Sequence, residues 1–158
     1  MKIKAVIPLM CIILLLSACS RESRFGVEQF VSRINSDFSR EMKTEDFLLS
    51  RDVGGNMLFA EESGVLLCLM PDSDGCIKGA GAMLDAGGDA GKLLELFTQI
   101  CCVLTENDFD PQAQILKNCQ IEESAINFAD SSFTQTVGKY KYSMVSRPDS
   151  VTLFCERV

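Results

Sequence analysis

Apolar side chains recur at helical spacing in two long segments of the chain. Residues 25–42 place Phe30, Val31 and Ile34 on one side with charged residues between them, which predicts an amphipathic helix. A second helix is predicted from about residue 90 to Thr105, with Asp89 as its N-terminal cap. The apolar positions of this second helix are Leu93, Leu96, Phe97, Ile100 and Leu104.

Shorter apolar runs, bounded by turn residues, predict strands before and after the second helix. These strands are residues 46–50, 56–61, 65–70, 76–84, 139–146 and 151–158. A turn at residues 72–75 would place Cys76 opposite Pro71 and Cys68 opposite Gly79, and Gly79 and Gly81 indicate a bulge or a close backbone approach. Asp110-Pro111 predicts the start of a shorter third helix. Residues 121–137 show no clear pattern.

The strands fall into two groups separated by helices. This order predicts an α+β fold, with an antiparallel sheet of about five strands and helices packed on one face. Residues 25–158 are expected to form this single domain.

The first residues of the chain have the pattern of a targeting segment. Lys2 and Lys4 precede an apolar run that ends in Leu16-Ser17-Ala18-Cys19, and the run is shorter than the about 20 residues needed to span a bilayer. The segment resembles the type II signal peptide of bacterial lipoproteins. That resemblance implies cleavage of residues 1–18, acylation of Cys19 and a short tether over residues 19–24. An ordinary secretory peptide and a poor membrane anchor are the alternatives.

The amino-acid composition excludes several classes of catalytic and binding site. The chain has no histidine, which excludes Ser-His-Asp and Cys-His catalysis and imidazole metal ligands. The net charge of −7 becomes −9 when Lys2 and Lys4 are removed, which argues against nucleic acid as a partner. We expect a protein outside the cytoplasm, held in the bacterial cell envelope through lipidated Cys19, with its partner at or near the membrane.

Six cysteines remain in the domain, and their state is left open by the sequence. They are Cys68, Cys76, Cys101, Cys102, Cys119 and Cys155. Buried free thiols, one or two structural disulfides, and a catalytic or metal-binding role are the alternatives. No Cys-x-x-Cys pair is present. The helical spacing places Cys102 on the side of Glu95, Gln99 and Glu106, where carboxylates disfavour a thiolate.

Two glycine-containing loops resemble ligand-binding motifs only in part. Residues 87–92 lack the glycine and hydroxyl positions of a phosphate-binding loop. Asp72-Ser73-Asp74-Gly75 lacks the flanking ligands of a calcium loop, so a turn is expected, with weak calcium binding by Asp72 and Asp74 as the alternative. No cofactor, metal site or catalytic residue is predicted.

Lys139-Tyr140-Lys141-Tyr142 is the basic spot of an acidic domain. In a strand the two lysines share one face and the two tyrosines the other. The segment is interpreted as an edge strand protected by lysine, or as a docking strip with the tyrosines as anchors.

These observations together predict a membrane-anchored, non-enzymatic module that binds a protein or peptide. The alternatives are a carrier that encloses a small apolar ligand and a hydrolase that works through carboxylates.

Overall fold

The computed structural model describes residues 25–50, 56–106 and 130–158. Two helices, α1 (Val27–Phe38) and α2 (Ala90–Thr105), and a 3₁₀ turn at Thr44–Asp46 lie in these ranges. The strands in the same ranges are β1 (Leu48–Ser50), β2 (Met57–Glu62), β3 (Val65–Pro71), β4 (Ile77–Asp85), β5 (Ser131–Val137), β6 (Tyr140–Ser146) and β7 (Ser150–Arg157). The predicted signal peptide, Cys19, the tether, the helix at Asp110-Pro111 and Cys119 lie outside the described residues.

All seven of these strands form one antiparallel sheet in the order β1-β2-β3-β4-β7-β6-β5. The α+β fold with an antiparallel sheet is therefore confirmed, but the predicted number of about five strands is wrong. The strand missed entirely is β5, whose side chains are exposed on one face and only half-buried on the other. Its serines and threonines do not produce the apolar alternation from which a strand is recognised.

The two helices pack on the same face of the sheet. Helix α2 contacts β3, β4 and β7, and α1 contacts α2. Directly opposite residues of antiparallel strands project to one side, so Leu69, Ala80, Cys155 and Tyr142 form a row beneath the helices. Each of these four side chains is at most 1% exposed, which places the centre of the core here.

Local capping fixes where α2 begins. As predicted, Asp89 is its N-cap, and its carboxylate accepts hydrogen bonds from the backbone N–H groups of Gly91 and Lys92 at 2.9 and 3.3 Å. These bonds satisfy two N–H groups that have no partner within the helix. The carboxylate also occupies the position that a bound phosphate would take.

A single arginine joins three elements at the end of α1. The guanidinium of Arg40 donates hydrogen bonds to Glu62 of β2 at 2.9 Å and to Glu95 and Gln99 of α2 at 2.9 and 2.6 Å. Arg40 thus links both helices to the sheet.

The hairpin between β3 and β4 differs in register from its prediction. Cys68 pairs with Gly81 rather than Gly79, and Pro71 pairs with Ile77 rather than Cys76. The loop between Pro71 and Ile77 has five residues rather than four, and the register shifts once more between Met70 and Pro71. The backbone N–H of Asp72 donates to the carbonyl of Cys76 at 2.7 Å, and this bond closes the loop.

Candidate functional site

The face of the sheet opposite the helices, termed here the open face, carries a continuous group of apolar side chains. One row across it is Phe59, Cys68, Gly81 and Phe154. The large apolar residues of the open face are Leu48, Met57, Phe59, Leu66, Met70, Met83, Val145 and Phe154. They are half-buried or exposed, and no helix in the described part of the chain covers them.

Two glycines make the centre of the open face flat. A Cβ atom at Gly79 would lie 2.8 Å from Cε1 of Phe154, and one at Gly81 would collide with the same ring and with the carbonyl oxygen of Leu153. The ring of Phe154 therefore lies directly over the β4 backbone. Both predicted explanations for these glycines apply, because the β3–β4 register shifts directly beside Gly79 and the Phe154 ring approaches both glycines closely. The result is a shallow aromatic surface rather than a ridge of side chains.

Flexible side chains and negative charges surround this surface. Met57, Met70 and Met83 contribute unbranched thioethers, which adapt to partners of differing shape. Glu61, Asp85 and Glu156 project from the same face, because each is in register with an open-face residue. Lys141 bonds to Glu156 there. The face thus combines an apolar centre with an excess of carboxylates.

The predicted docking strip is divided between different environments. Strand β6 lies between β5 and β7, so the interpretation of this segment as an edge strand is wrong. Tyr142 is 1% exposed, and the hydroxyl of Tyr140 donates to the carbonyl oxygen of Leu104 at 3.0 Å. Both tyrosines therefore anchor β6 to the helical side. Lys141 projects to the opposite face, and Lys139 lies in the turn before β6.

None of the five described cysteines forms a disulfide. Burial raises the pKa of the Cys68 thiol to about 12. Burial, with a hydrogen bond between the Cys101 and Cys155 side chains, raises the pKa of Cys101 well above its ordinary value. Because a neutral thiol is a poor nucleophile, burial disfavours reactivity at Cys68 and Cys101.

Cys102 lies on the side of α2 that carries Glu95 and Gln99, as predicted, but its thiol is not surrounded by solvated carboxylates. Cys102 is buried, as are all residues from Ile100 to Thr105. This end of α2 is covered on all sides, so helical spacing alone does not separate a buried stripe from a solvated one.

The Asp72–Gly75 loop has the geometry of a turn stabilised by its own aspartate. A carboxylate oxygen of Asp72 accepts hydrogen bonds from the backbone N–H groups of Asp74 and Cys76 at 2.9 and 3.0 Å. Within residues 25–50, 56–106 and 130–158, no group of three or more acidic or cysteine side chains is arranged to hold a metal ion.

Neither described helix is long and apolar enough to cross a membrane. Comparison of the chain with protein-family models, with curated proteins and with solved structures gives no match.

Proposed function

We propose that this protein is an envelope lipoprotein, anchored through Cys19, that binds a partner protein without catalysing a reaction. The open face is the binding surface, and the group of half-buried apolar side chains on it carries the proposal. Its occupant is an amphipathic segment with an apolar side and basic flanks.

The apolar content of the open face is unusual for one side of a sheet that has helices only on the other. Such a face normally alternates with polar residues in contact with water. Here β3 places Leu66, Cys68 and Met70 on the open face as well as Val65, Leu67 and Leu69 beneath the helices. A contiguous apolar surface of this kind is typical of an interaction site.

Charge defines the class of partner. Glu61 and Asp85 border the apolar centre, where the charge of Glu156 is balanced by Lys141, and the whole chain has a net charge of −7. A partner with lysine or arginine beside its apolar residues would gain favourable electrostatic steering, whereas an acidic partner would be repelled. The methionines would adapt to its side chains.

The tether keeps this surface near the membrane. Phe25 is fixed at the end of the sheet, where its carbonyl accepts a hydrogen bond from the N–H of Ile77 at 2.9 Å. The five residues between Cys19 and Phe25 reach about 17 Å when extended. A partner that is itself at the membrane surface therefore lies within reach.

Peptide binding tests the proposal directly, because the chain has no tryptophan and a peptide with one Trp supplies the only indole signal. The acylated chain in vesicles of zwitterionic lipid is titrated into an amphipathic Leu/Lys peptide, with empty vesicles as the blank. We expect a saturable blue shift, and binding about tenfold weaker for Met83→Lys, a change of about 1.4 kcal/mol.

Ser32→Lys is the matched control, because it adds the same charge at an exposed position of α1. This variant should bind the peptide as the wild type does. An acidic Leu/Glu peptide of the same length should give no saturable shift. Equal binding of the two peptides, or unchanged binding by Met83→Lys, contradicts the proposal.

A further inference from the structure

Strand β5 has a long, uncharged edge with which another strand could pair. It is the last strand of the sheet, and β6 is the only described strand that pairs with it. The edge extends over Ser131–Val137, whereas the opposite edge strand, β1, has three residues. Sheet edges are commonly protected by lysine, proline or a bulge, and β5 contains no lysine, no proline and no other charged residue.

The register shows which backbone groups of β5 point outward. Val137 and Tyr140 flank the two-residue turn Gly138-Lys139, so their N–H and carbonyl groups bond to each other. Hydrogen-bonded pairs alternate along antiparallel strands. Residues 131, 133, 135 and 137 therefore bond to β6, and the N–H and carbonyl groups of Ser132, Thr134 and Thr136 point away from the sheet.

We propose that β5 pairs antiparallel with β5 of a second copy of this chain, about a two-fold axis at Thr134. Thr134 then lies opposite Thr134 of the second copy, and Ser132 lies opposite Thr136. All three outward-facing residues of each copy make hydrogen-bonded pairs, and the two sheets join into one. This inference concerns an edge separate from the open face and goes beyond the proposed function.

The side chains of β5 are compatible with this self-pairing. Ser132, Thr134 and Thr136 lie on one face, and opposed hydroxyl side chains form favourable cross-strand pairs. The charges that flank the strand are complementary, because Asp130 precedes it and Lys139 follows it. The antiparallel arrangement brings the Asp130 end of one copy to the Lys139 end of the other. The side chain of Asp130 is 69% exposed even in its pair with Arg147.

In the described part of the chain, the helices leave room for the second copy. Helix α2 packs over β3, β4 and β7, in the middle of the sheet. A two-fold axis at the β5 edge places the helical layers of both copies on the same side of the joined sheet, with β5 and β6 of each copy between them. The closed, isologous contact ends at a dimer instead of extending into a fibre.

Cross-linking of the full-length chain in its own membranes tests the register. Thr134→Cys places two thiols across the axis, with Cα atoms about 5.5 Å apart. A short bismaleimide should join two copies of this variant about fivefold more than it joins copies of Ser32→Cys, whose thiol is exposed on α1. The unmodified chain, in which Cys76 is half-buried, gives the background.

A second pair of variants fixes the alignment. Ser132→Cys alone should give no dimer with this reagent, because its two copies would lie about 14 Å apart along the strands. Co-expression of Ser132→Cys with Thr136→Cys should give a heterodimer, because these residues face each other. Cross-linking of Thr134→Cys no greater than that of Ser32→Cys overturns the proposal. An adduct of another mass, which indicates a different strand on this edge, also overturns it.

Substitution by proline separates edge pairing from other causes of association. Thr134→Pro removes an outward N–H and leaves the β5–β6 hydrogen bonds intact, whereas Thr134→Val keeps the N–H and the branched side chain. Sedimentation of the detergent-solubilised chain should show dimer for the wild type and Thr134→Val and monomer for Thr134→Pro. A monomeric wild type, or a dimeric Thr134→Pro variant, contradicts edge pairing. Neither result bears on the proposed function, because peptide binding at the open face does not require the dimer.

Discussion

At the scale of single residues, the buried thiol of Cys68 makes the stability of the fold depend on pH. Its pKa is raised by burial from 9.0 to about 12. Between these two values the unfolded chain releases this proton while the folded chain keeps it. Because the unfolded state then binds fewer protons, the free energy of unfolding falls as pH rises.

This linkage gives a testable slope. Below pH 9 the contribution of Cys68 to stability is fully present, and from pH 9 to about 12 it is lost at about 1.4 kcal/mol per pH unit. Cys68→Ala should therefore have a lower free energy of unfolding than the wild type at pH 7. Between pH 9 and pH 10, however, its free energy of unfolding should fall by less than that of the wild type. Urea unfolding at each pH provides the measurement.

Val151→Ala is the matched control for this slope. It removes apolar packing at a fully buried position without removing a titratable group. We expect it to lower stability equally at every pH. If Cys68→Ala and Val151→Ala show the same slope as the wild type, burial does not hold the Cys68 thiol neutral.

At the scale of elements, the packing of α1 depends on Arg40. Its side chain is 13% exposed, and its partners Glu62 and Glu95 are 23% and 61% exposed. The Glu95 interaction is therefore screened by water, whereas Glu62 and Gln99 bind the guanidinium where less water can replace it. The ion pair of Arg40 with Glu62 should therefore stabilise the fold more than its ion pair with Glu95.

Arg40→Met should cost about 2 kcal/mol of unfolding free energy, because it leaves the partly buried Glu62 without its cation. Glu95→Gln, which removes the exposed partner, should cost less than about 0.5 kcal/mol. Chemical denaturation of both variants gives the comparison. Equal losses would show that Arg40 acts through its exposed contact.

Elements whose boundaries depend on neighbouring residues were predictable, and those set by distant contacts were not. Helix α2 follows from the Asp89 cap and a local apolar stripe, and the break between β6 and β7 follows from the turn residues between the two predicted strands. Strand β5 was missed because an edge strand buries little apolar surface. The buried position of Tyr142 depends on β7 pairing with β4, which places β6 one strand in from the edge.

The open face has the same non-local origin. Its apolar residues come from β1, β2, β3, β4, β6 and β7, so no single segment shows the group. The one local signal is the run Val65–Met70, which is apolar at consecutive positions and so supplies both faces of β3. That run predicted a strand, and the described helices cover only one of its two apolar faces.

At the scale of the whole molecule, attachment to the membrane depends on Cys19 in the proposed function. The chain that begins at Cys19 has a net charge of −9, so anionic lipid does not attract it electrostatically. Stable anchoring therefore requires acyl chains, and more than one of them.

Cys19→Ser should abolish both incorporation of labelled fatty acid and removal of residues 1–18, since the resemblance to lipoprotein signal peptides makes one thiol the site of both steps. Cys11→Ser, within the apolar run, should keep both, because its thiol is discarded with the signal peptide. Labelling and intact mass of the membrane-extracted chain measure the two outcomes together. A labelled, processed Cys19→Ser chain would place the anchor elsewhere. A wild-type chain that is cut before Cys19 yet carries no label would indicate an ordinary secretory peptide. The open face would then not be held near the membrane, and its partner could lie elsewhere.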